Sequence, residues 1–293
     1  MAASVPYTTP LSEALSLRDE AFDPAQLPAY QLLALAAPHR LRVAVLDTAR
    51  QKIVAFDDQP LPAGTDLPEL AASHNLLSRP GWGRLRLGLA GRAFTLLPAP
   101  LFRPGDEAAY LAPHHTLEAQ QVALAYPLPQ PAPATDVVGV FAAEAELGRW
   151  LHAQYGPSAR LLPQPLALLA GWQQQRGPAQ PARQLYLSLA DHELTVAVLG
   201  HRLEFCNVFP FNTPEDVVYY AILVMQELGL NPDQDPVTLW GEIAGDSAIF
   251  ALLSTYIRHL RFGSRPFSLR YTYRLNELSE HRHFDLFSLA LVE

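Results

Sequence analysis

The pattern of apolar and polar positions predicts an α/β chain whose parts occur twice. Near the start of each half, two β-rich runs are separated by a short polar turn, in residues 41–56 and again in residues 185–200. Later in each half a strand is followed directly by a helix, in residues 137–155 and 237–256. Residue identity between the paired segments is low, so the match lies in the order of the elements. This order predicts a duplicated α/β unit.

The clearest helix is TPEDVVYYAILVMQELGLNPD, which begins at Thr213. Thr213 is predicted to be its N-cap, because a threonine side chain accepts hydrogen bonds from the free N–H groups of the first turn. Pro214 suits the first helical position, where no N–H is needed. Gly229 is predicted to end the helix, since glycine adopts the left-handed conformation that follows many helices.

The stretch VTLWGEIAGDSAIFALLSTYIRHL predicts a strand, a glycine-containing turn and a second helix. Asp246 or Ser247 is predicted to cap this helix by accepting backbone N–H bonds. Ser254, Arg258 and Arg261 are predicted to face solvent. Six apolar positions recur at helical spacing and are predicted to face the core: Ile249, Leu252, Leu253, Tyr256, Ile257 and Leu260.

Segments rich in proline and glycine divide the chain. The segment QQQRGPAQPAR, residues 173–183, is polar and without periodicity, which indicates a linker. It separates a predicted first lobe, residues 30–172, from a predicted second lobe, residues 184–293. Residues 1–29 are predicted to form an arm on the surface, and the Pro/Ala-rich residues 129–136 an extended connection.

Composition narrows the classes of function. The 293 residues are 49% hydrophobic and 17% charged, as in a globular protein, and a net charge of −8 disfavours binding to nucleic-acid phosphates. Lys52 is the only lysine, which excludes a Walker-type P-loop.

Cys206 is the only cysteine, so it forms no internal disulfide and is predicted to lie in the core. No signal peptide is recognisable and no apolar run approaches the ~18 residues of a membrane helix, so a cytoplasmic protein without membrane insertion is expected.

From Gln184 onward the sequence resembles a bacterial family of uncharacterised proteins, number 3822 in the domain-of-unknown-function series. The matching features are the Thr-Pro-Glu-Asp helix start at residues 213–216, the Leu-Asn-Pro helix end at 230–232 and the Gly-Glu-Ile turn at 241–243. The resemblance implies an actin-like ATPase-type fold: α/β, with two ribonuclease-H-like lobes that have mixed sheets and helices on their faces. It implies no known activity.

In actin-type ATPases, Mg·ATP binds between the lobes, at a turn of the Asp-x-Gly type in each lobe. The backbone amides of these turns can approach the phosphates because glycine has no side chain to block them. In the first lobe the candidate is Asp47, followed by Lys52, and in the second lobe it is Asp191. Gly241 occupies the position expected for an adenosine-binding turn. These four residues are the predicted cofactor site if the protein binds ATP with Mg²⁺.

Each of these motifs departs from the expected pattern. Ala49 and Glu193 stand where glycine is required, and the bulky Trp240 precedes the single Gly241. The leading prediction is therefore a non-catalytic actin-like protein, a pseudo-ATPase that acts as a scaffold or protein-interaction module through a partner protein or self-association. The alternative is a divergent ATP-binding protein or ATPase of the same fold.

Two further chemistries are weaker. A ribonuclease-H-type nuclease needs several clustered carboxylates, and Asp47, Asp57, Asp58 and Asp191 are not predicted to converge. The histidine pairs His114/His115 and His281/His283 lack the spacing of a zinc site, so no metal is predicted.

Overall fold

The computed structural model describes residues 14–62, 64–128, 136–176 and 183–292. Most of the predicted connection at residues 129–136 lies outside the described residues. The same holds for residues 177–182 of the predicted linker and for residues 1–13 of the predicted arm.

The described residues form fifteen strands and seven α-helices. The strands are β1 (Leu15–Arg18), β2 (Tyr30–Ala36), β3 (Arg40–Asp47), β4 (Lys52–Pro60), β5 (Arg84–Leu89), β6 (Phe94–Pro98), β7 (Gln121–Leu128), β8 (Val137–Glu144), β9 (Arg160–Pro163), β10 (Gln184–Ala190), β11 (Glu193–Leu199), β12 (Leu203–Pro210), β13 (Val237–Gly241), β14 (Leu260–Phe262) and β15 (Arg270–Tyr271). The helices are α1 (Leu67–Ser73), α2 (Glu107–Leu111), α3 (Ala145–Tyr155), α4 (Gln164–Gln175), α5 (Pro214–Glu227), α6 (Ala248–Tyr256) and α7 (Phe284–Ser288).

Two sheets share one strand order and one set of strand directions. The first sheet has the order β1-β4-β3-β2-β5-β9, with β15 also on β4, and the second has the order β12-β11-β10-β13-β14. In each, three antiparallel strands (β4-β3-β2 and β12-β11-β10) are followed by two parallel ones (β5-β9 and β13-β14). This is the order of a ribonuclease-H-like unit, so the predicted fold of two such lobes is confirmed.

A third, smaller sheet is inserted in the first lobe between β5 and β9. Its three antiparallel strands have the order β6-β8-β7, so β6 and β7 are its outer strands. Helix α2 packs on this sheet through Leu111, which is fully buried with Val138 and Val140. The inserted sheet adds three strands to the first lobe that have no counterpart in the second-lobe sheet.

Helices α4 and α7 lie between the two large sheets and join their cores. The rings of Trp172 on α4 and Phe284 on α7 lie 6.0 and 5.0 Å from Trp240 on the second sheet. Phe56 on the first sheet belongs to the same buried cluster. All residues of α4 from Gln164 to Trp172 are buried, because its sequence is apolar on nearly every side. A Cβ at Gly171 would overlap Ser288 and Phe284, so glycine permits this close helix contact.

The chain returns to the first sheet after β14. Arg270 and Tyr271 of β15 pair in parallel with Lys52 and Ile53 of β4, and α7 then packs between the sheets. The predicted second lobe, residues 184–293, therefore contributes elements to both sheets. Helix α4 includes residues 173–175, which the sequence assigned to the linker.

Helix α5 confirms the predicted start and end. The Thr213 side chain accepts a hydrogen bond from the Asp216 N–H, and the Asp216 carboxylate accepts one from the Thr213 N–H, which forms a capping box. Pro214 is the first helical residue. Gly229 follows the helix with φ +66°, the left-handed conformation expected there.

Helix α6 is shorter than its apolar pattern predicts. Ser247 caps it as expected, by accepting from the Phe250 N–H, but the helix ends at Tyr256. The predictions that Tyr256 and Leu260 face the core as part of this helix are wrong: Tyr256 is 55% exposed, and Leu260 begins β14. Long-range pairing of β14 with the free edge of β13 overrides the local helical period.

Candidate functional site

The two lobes meet at two equivalent turns. The turn between β2 and β3 contains His39, and the corresponding turn between β10 and β11 contains Asp191 and His192, both with positive φ. The backbone N–H of His39 donates to Oδ2 of Asp191 over 2.7 Å. Because β2–β3 and β10–β11 occupy matching places in their sheets, this bond joins the corresponding turns of the two lobes directly.

A cluster of charged side chains lies beside these turns. Arg40 and Arg42 on β3 are 5% and 1% exposed. The Arg40 guanidinium contacts Asp58 on β4 at 2.6 Å, and Arg42 makes two hydrogen bonds of 3.0 and 2.9 Å to the Asp285 carboxylate on α7. Glu242, just after β13, approaches Arg40 and Arg42 at 3.7 and 3.8 Å. The cluster thus connects β3, β4, α7 and the end of β13.

Burial and ion pairing shift the pKa values of Glu242 and Arg42 in this cluster. Burial raises the pKa of Glu242 above its ordinary value, and the neighbouring Arg42 and Arg40 offset this only in part. Burial lowers the pKa of Arg42, but Asp285, Glu242 and Asp58 together raise it by more, so the guanidinium stays charged. Gln164 at the start of α4 donates to Asp285 over 2.6 Å and fixes that carboxylate further.

Gly241 forms the corner that positions Glu242. Its φ is +106°, and a Cβ there would lie 1.9 Å from the Leu189 carbonyl oxygen. The Gly241 N–H donates to the His281 carbonyl over 2.9 Å, and the Glu242 N–H donates to the Leu189 carbonyl over 2.7 Å. The glycine is thus explained by close backbone packing between β10 and β13. Trp240, beside it, is buried in the core.

The structure does not bring the four predicted cofactor residues together. Asp47 ends β3 while Arg40 begins it, so at ~3.3 Å per residue Asp47 lies about 23 Å from Arg40, at the end of the strand opposite the His39–Asp191 contact. Asp47 is therefore not the first-lobe counterpart of Asp191, which corrects that pairing. The sequence pattern paired the turn after β3, which follows Asp47, with the turn after β10, which contains Asp191. In the two sheets it is the turn after β2 that corresponds to the turn after β10.

Asp47 and Lys52 have local structural roles. The Asp47 carboxylate accepts from the backbone N–H groups of Ala49 and Arg50, both over 3.0 Å, and pairs with the Arg50 side chain at 2.8 Å. Burial opposes ionisation, but the hydrogen bonds from Arg50 outweigh it and lower the pKa of Asp47. Lys52 pairs with Asp19 at 2.7 Å. Gly241 and Asp191, in contrast, both lie at the lobe junction.

The residues noted for other chemistries lie in separate places. His281 Nε2 lies 2.7 Å from the Ile243 carbonyl oxygen, and His283 is buried, with its pKa well below the ordinary value because of burial. His115 contacts Gln121. The Cys206 thiol, on β12, is partly buried, and burial raises its pKa to about 12, so it is a poor nucleophile at neutral pH.

Sequence reasoning missed the arginines and Asp285. The available signal was Arg40-Leu41-Arg42 at the start of an apolar strand. Alternate residues of a strand face the same side, and arginine is almost never fully buried unless it is paired. The two arginines would therefore have indicated that carboxylate partners exist, although not which carboxylates they are.

The topology and the meeting of the two turns define an actin-like ATPase-type fold. A crystal structure from Bacteroides thetaiotaomicron VPI-5482, described as a protein with actin-like ATPase fold and unknown function, is similar with a TM-score of 0.76 and 16% identity over 93% of this chain and 99% of that one. A chain of the PilM–PilN type IV pilus biogenesis complex is similar with a TM-score of 0.56 and 15% identity over 90% of this chain and 98% of that one. At these identities the likeness shows the fold alone.

The family described as "Protein of unknown function (DUF3822)" matches residues 19–260. The chain belongs to this family, as its second half indicated. A comparison with curated proteins found no match. Within the described residues, no helix is long and apolar enough to cross a membrane.

Proposed function

We propose that this chain is a non-catalytic protein-interaction module built on an actin-like ATPase-type fold. The observation that carries the proposal is the 2.7 Å hydrogen bond between the His39 N–H and the Asp191 carboxylate. A phosphate held between these turns needs a free backbone amide and needs room for its oxygens. In this chain the amide is occupied, and the turns are within hydrogen-bonding distance of each other.

The charges beside the turns support the same proposal. The guanidinium groups of Arg40 and Arg42 face three carboxyl groups, those of Asp58, Glu242 and Asp285. A polyphosphate entering here would compete with carboxylates for both arginines and would be repelled by the same carboxylates. The cluster therefore favours a fixed junction over a nucleotide site.

If the junction binds no nucleotide, we propose that the chain functions by binding to another protein. A chain of the PilM–PilN type IV pilus biogenesis complex has a similar fold, so protein binding is compatible with this architecture. We place this function in the cytoplasm, because a single cysteine suits a reducing compartment. We propose no nucleic-acid partner, given the net charge of −8.

Thermal melting with and without Mg·ATP tests the absence of nucleotide binding. A nucleotide with a Kd of ~50 μM would stabilise the protein by about 2.7 kcal/mol at ~5 mM. At about 2–4 °C per kcal/mol, the midpoint would rise by several degrees. We expect a shift below about 1 °C. A shift of several degrees that disappears in Asp191→Ala would refute the proposal in favour of the divergent ATP-binding protein.

The interaction role has a separate test. The tagged chain is recovered from a lysate of its own source, with the tag alone as control, and its mass is measured by sedimentation. We expect either a stoichiometric protein partner or a defined oligomer. A monomer that retains no partner at physiological salt contradicts the proposal.

A further inference from the structure

A long groove runs between the inserted sheet and the second lobe. One wall is β6, an outer strand of the inserted sheet, and the other is β12, an outer strand of the second-lobe sheet. Residues 94–98 and 202–207 line the two walls of this groove, whose volume is about 1210 Å³. Small-molecule sites are usually about 300–1,000 Å³, so the groove is large enough for a peptide segment.

The backbone of β12 presents hydrogen-bonding groups to this groove. The Phe211 N–H donates to the His192 carbonyl, and the ladder continues in register from there to Phe205. Bonding alternates along an antiparallel pair, so odd-numbered residues of β12 bond to β11. The N–H and C=O of Cys206 and the C=O of Val208 consequently point away from β11. No described strand pairs with this side of β12.

The β6 wall is less suited to extend a sheet. The Ala142 N–H donates to the Ala93 carbonyl, so the even-numbered residues of β6 direct their backbone groups away from β8. Of these, Phe94 already donates its N–H to the Arg92 carbonyl, and Pro98 has no N–H. Proline at such positions protects an edge from pairing. β12 has the same two features, since Pro210 at its end has no N–H and Val208 donates its N–H to the side chain of Asn207. With eight residues against five, however, β12 is the longer edge, and we take it as the strand to which a further strand adds.

The charged groups of the groove are mainly basic. Arg202 is exposed just before β12, and Arg92 is exposed at the other end, 3.7 Å from Glu193. Among the described residues that line the groove, the one acidic residue is Glu204, which pairs with Arg183 at 2.7 Å. These basic ends stand out on a chain whose net charge is −8, so charge complementarity favours an acidic occupant.

We propose that this groove binds an extended, acidic peptide segment of a partner protein, which adds to β12 as a further strand. Main-chain hydrogen bonds to Cys206 and Val208 would supply affinity, and Arg202 and Arg92 would select acidic side chains near the two ends. A segment of about six residues matches the eight-residue β12 and five-residue β6. The inference rests on the proposed function and names the kind of partner.

Fluorescence anisotropy with a labelled eight-residue probe, alternating acidic residues with valine, tests the groove. Arg202→Glu is expected to weaken binding about fivefold or more at low salt, and the effect should diminish as salt rises. Arg258→Glu is the matched control, because Arg258 is exposed just before β14 at the opposite edge of the same sheet. A probe that is N-methylated at every second residue on the side facing β12 should not bind.

Equal binding by Arg202→Glu and Arg258→Glu, or full binding of the N-methylated probe, would overturn the inference. A probe carrying a photo-crosslinker should label residues 203–207, and labelling only elsewhere would also overturn it. Arg202 is exposed, so equal melting midpoints of variant and parent exclude unfolding as the cause.

The occupant is tested separately from the site. If sedimentation shows a dimer that Arg202→Glu dissociates, the occupant is a second copy of this chain and the partner-peptide proposal fails. If the parent and Arg202→Glu retain the same stoichiometric partner equally, the groove inference fails while the proposed interaction function stands. Stabilisation by Mg·ATP that is lost in Asp191→Ala would instead refute the proposed function.

Discussion

Removing one partner of the buried ion pair between Arg42 and Asp285 should strongly destabilise the lobe junction. The side chains are 1% and 4% exposed, and the Arg42 guanidinium makes two hydrogen bonds to the Asp285 carboxylate. The substitution Asp285→Asn keeps the shape of the side chain but removes its charge. It leaves a buried guanidinium with no carboxylate in hydrogen-bonding contact among the described residues: Glu242 lies 3.8 Å away, and Asp58 acts on Arg42 through its charge.

The expected loss follows from this geometry. Breaking a buried ion pair by removing one partner typically costs about 3–5 kcal/mol, because the remaining charge stays buried. The contact of Arg42 with Glu242 places the expectation near the lower end, at about 3 kcal/mol. At about 2–4 °C per kcal/mol, the melting midpoint should fall by roughly 10 °C.

Urea unfolding followed by far-ultraviolet circular dichroism measures this loss, and calorimetry gives the midpoint. Asp246→Asn is the matched control, since Asp246 is exposed in the second lobe and its change should stay within about 0.5 kcal/mol. If Asp285→Asn loses less than about 1 kcal/mol, the pair does not hold the junction, and the argument for a fixed, nucleotide-free junction loses its support.

Three further predictions concern single positions. Gly241→Ala should lower the free energy of unfolding in urea by more than about 3 kcal/mol, because the added Cβ would overlap the Leu189 carbonyl. Gly229→Ala is the control: its φ is also positive but the space around it is open, so the loss should be only about 1–2 kcal/mol. Equal losses in the two variants would refute the role of the overlap. Glu242→Gln removes a carboxyl group whose pKa burial raises in the folded protein. The parent should lose stability as pH rises above about 4.5, because its folded state holds the proton longer than its unfolded state, and the variant should not. The free energy of unfolding of the variant relative to the parent should therefore increase with pH, and a pH-independent difference would contradict this. Thr213→Ala should lose about 1 kcal/mol through the N-cap of α5, measured by the same unfolding experiment, and no loss would show that the capping box is energetically unimportant.

Local sequence accounts well for the elements that stabilise themselves. Thr213, Pro214 and Gly229 specify the ends of α5, because capping and glycine conformation depend on neighbouring residues only. The repeated order of hairpins, strands and helices predicted a duplicated α/β unit, and the resemblance of the second half to the family implied that its lobes are ribonuclease-H-like. The residue pattern around Ser247 likewise gave the start of α6.

Contacts between distant segments were decided by the tertiary structure. Arg42 and Asp285 are 243 residues apart, and nothing in either local sequence names the other. Asp47 and Asp191 look alike in sequence, since each lies where an apolar strand meets a polar turn, yet of the two only Asp191 contacts the turn of the other lobe. Leu260 has the spacing of a helical residue but pairs with Val237.

The physical reason is the range of the forces that decide each feature. Periodicity, caps and turn conformation act within a few residues, so the sequence alone determines that elements form and the order in which they come. Other features depend on residues that are brought together only when both lobes pack around α4 and α7. These features are the carboxylate that neutralises Arg42, the position at which β14 replaces a helix, and the strand edges that remain open at β6 and β12. The junction and the groove are therefore products of the tertiary structure.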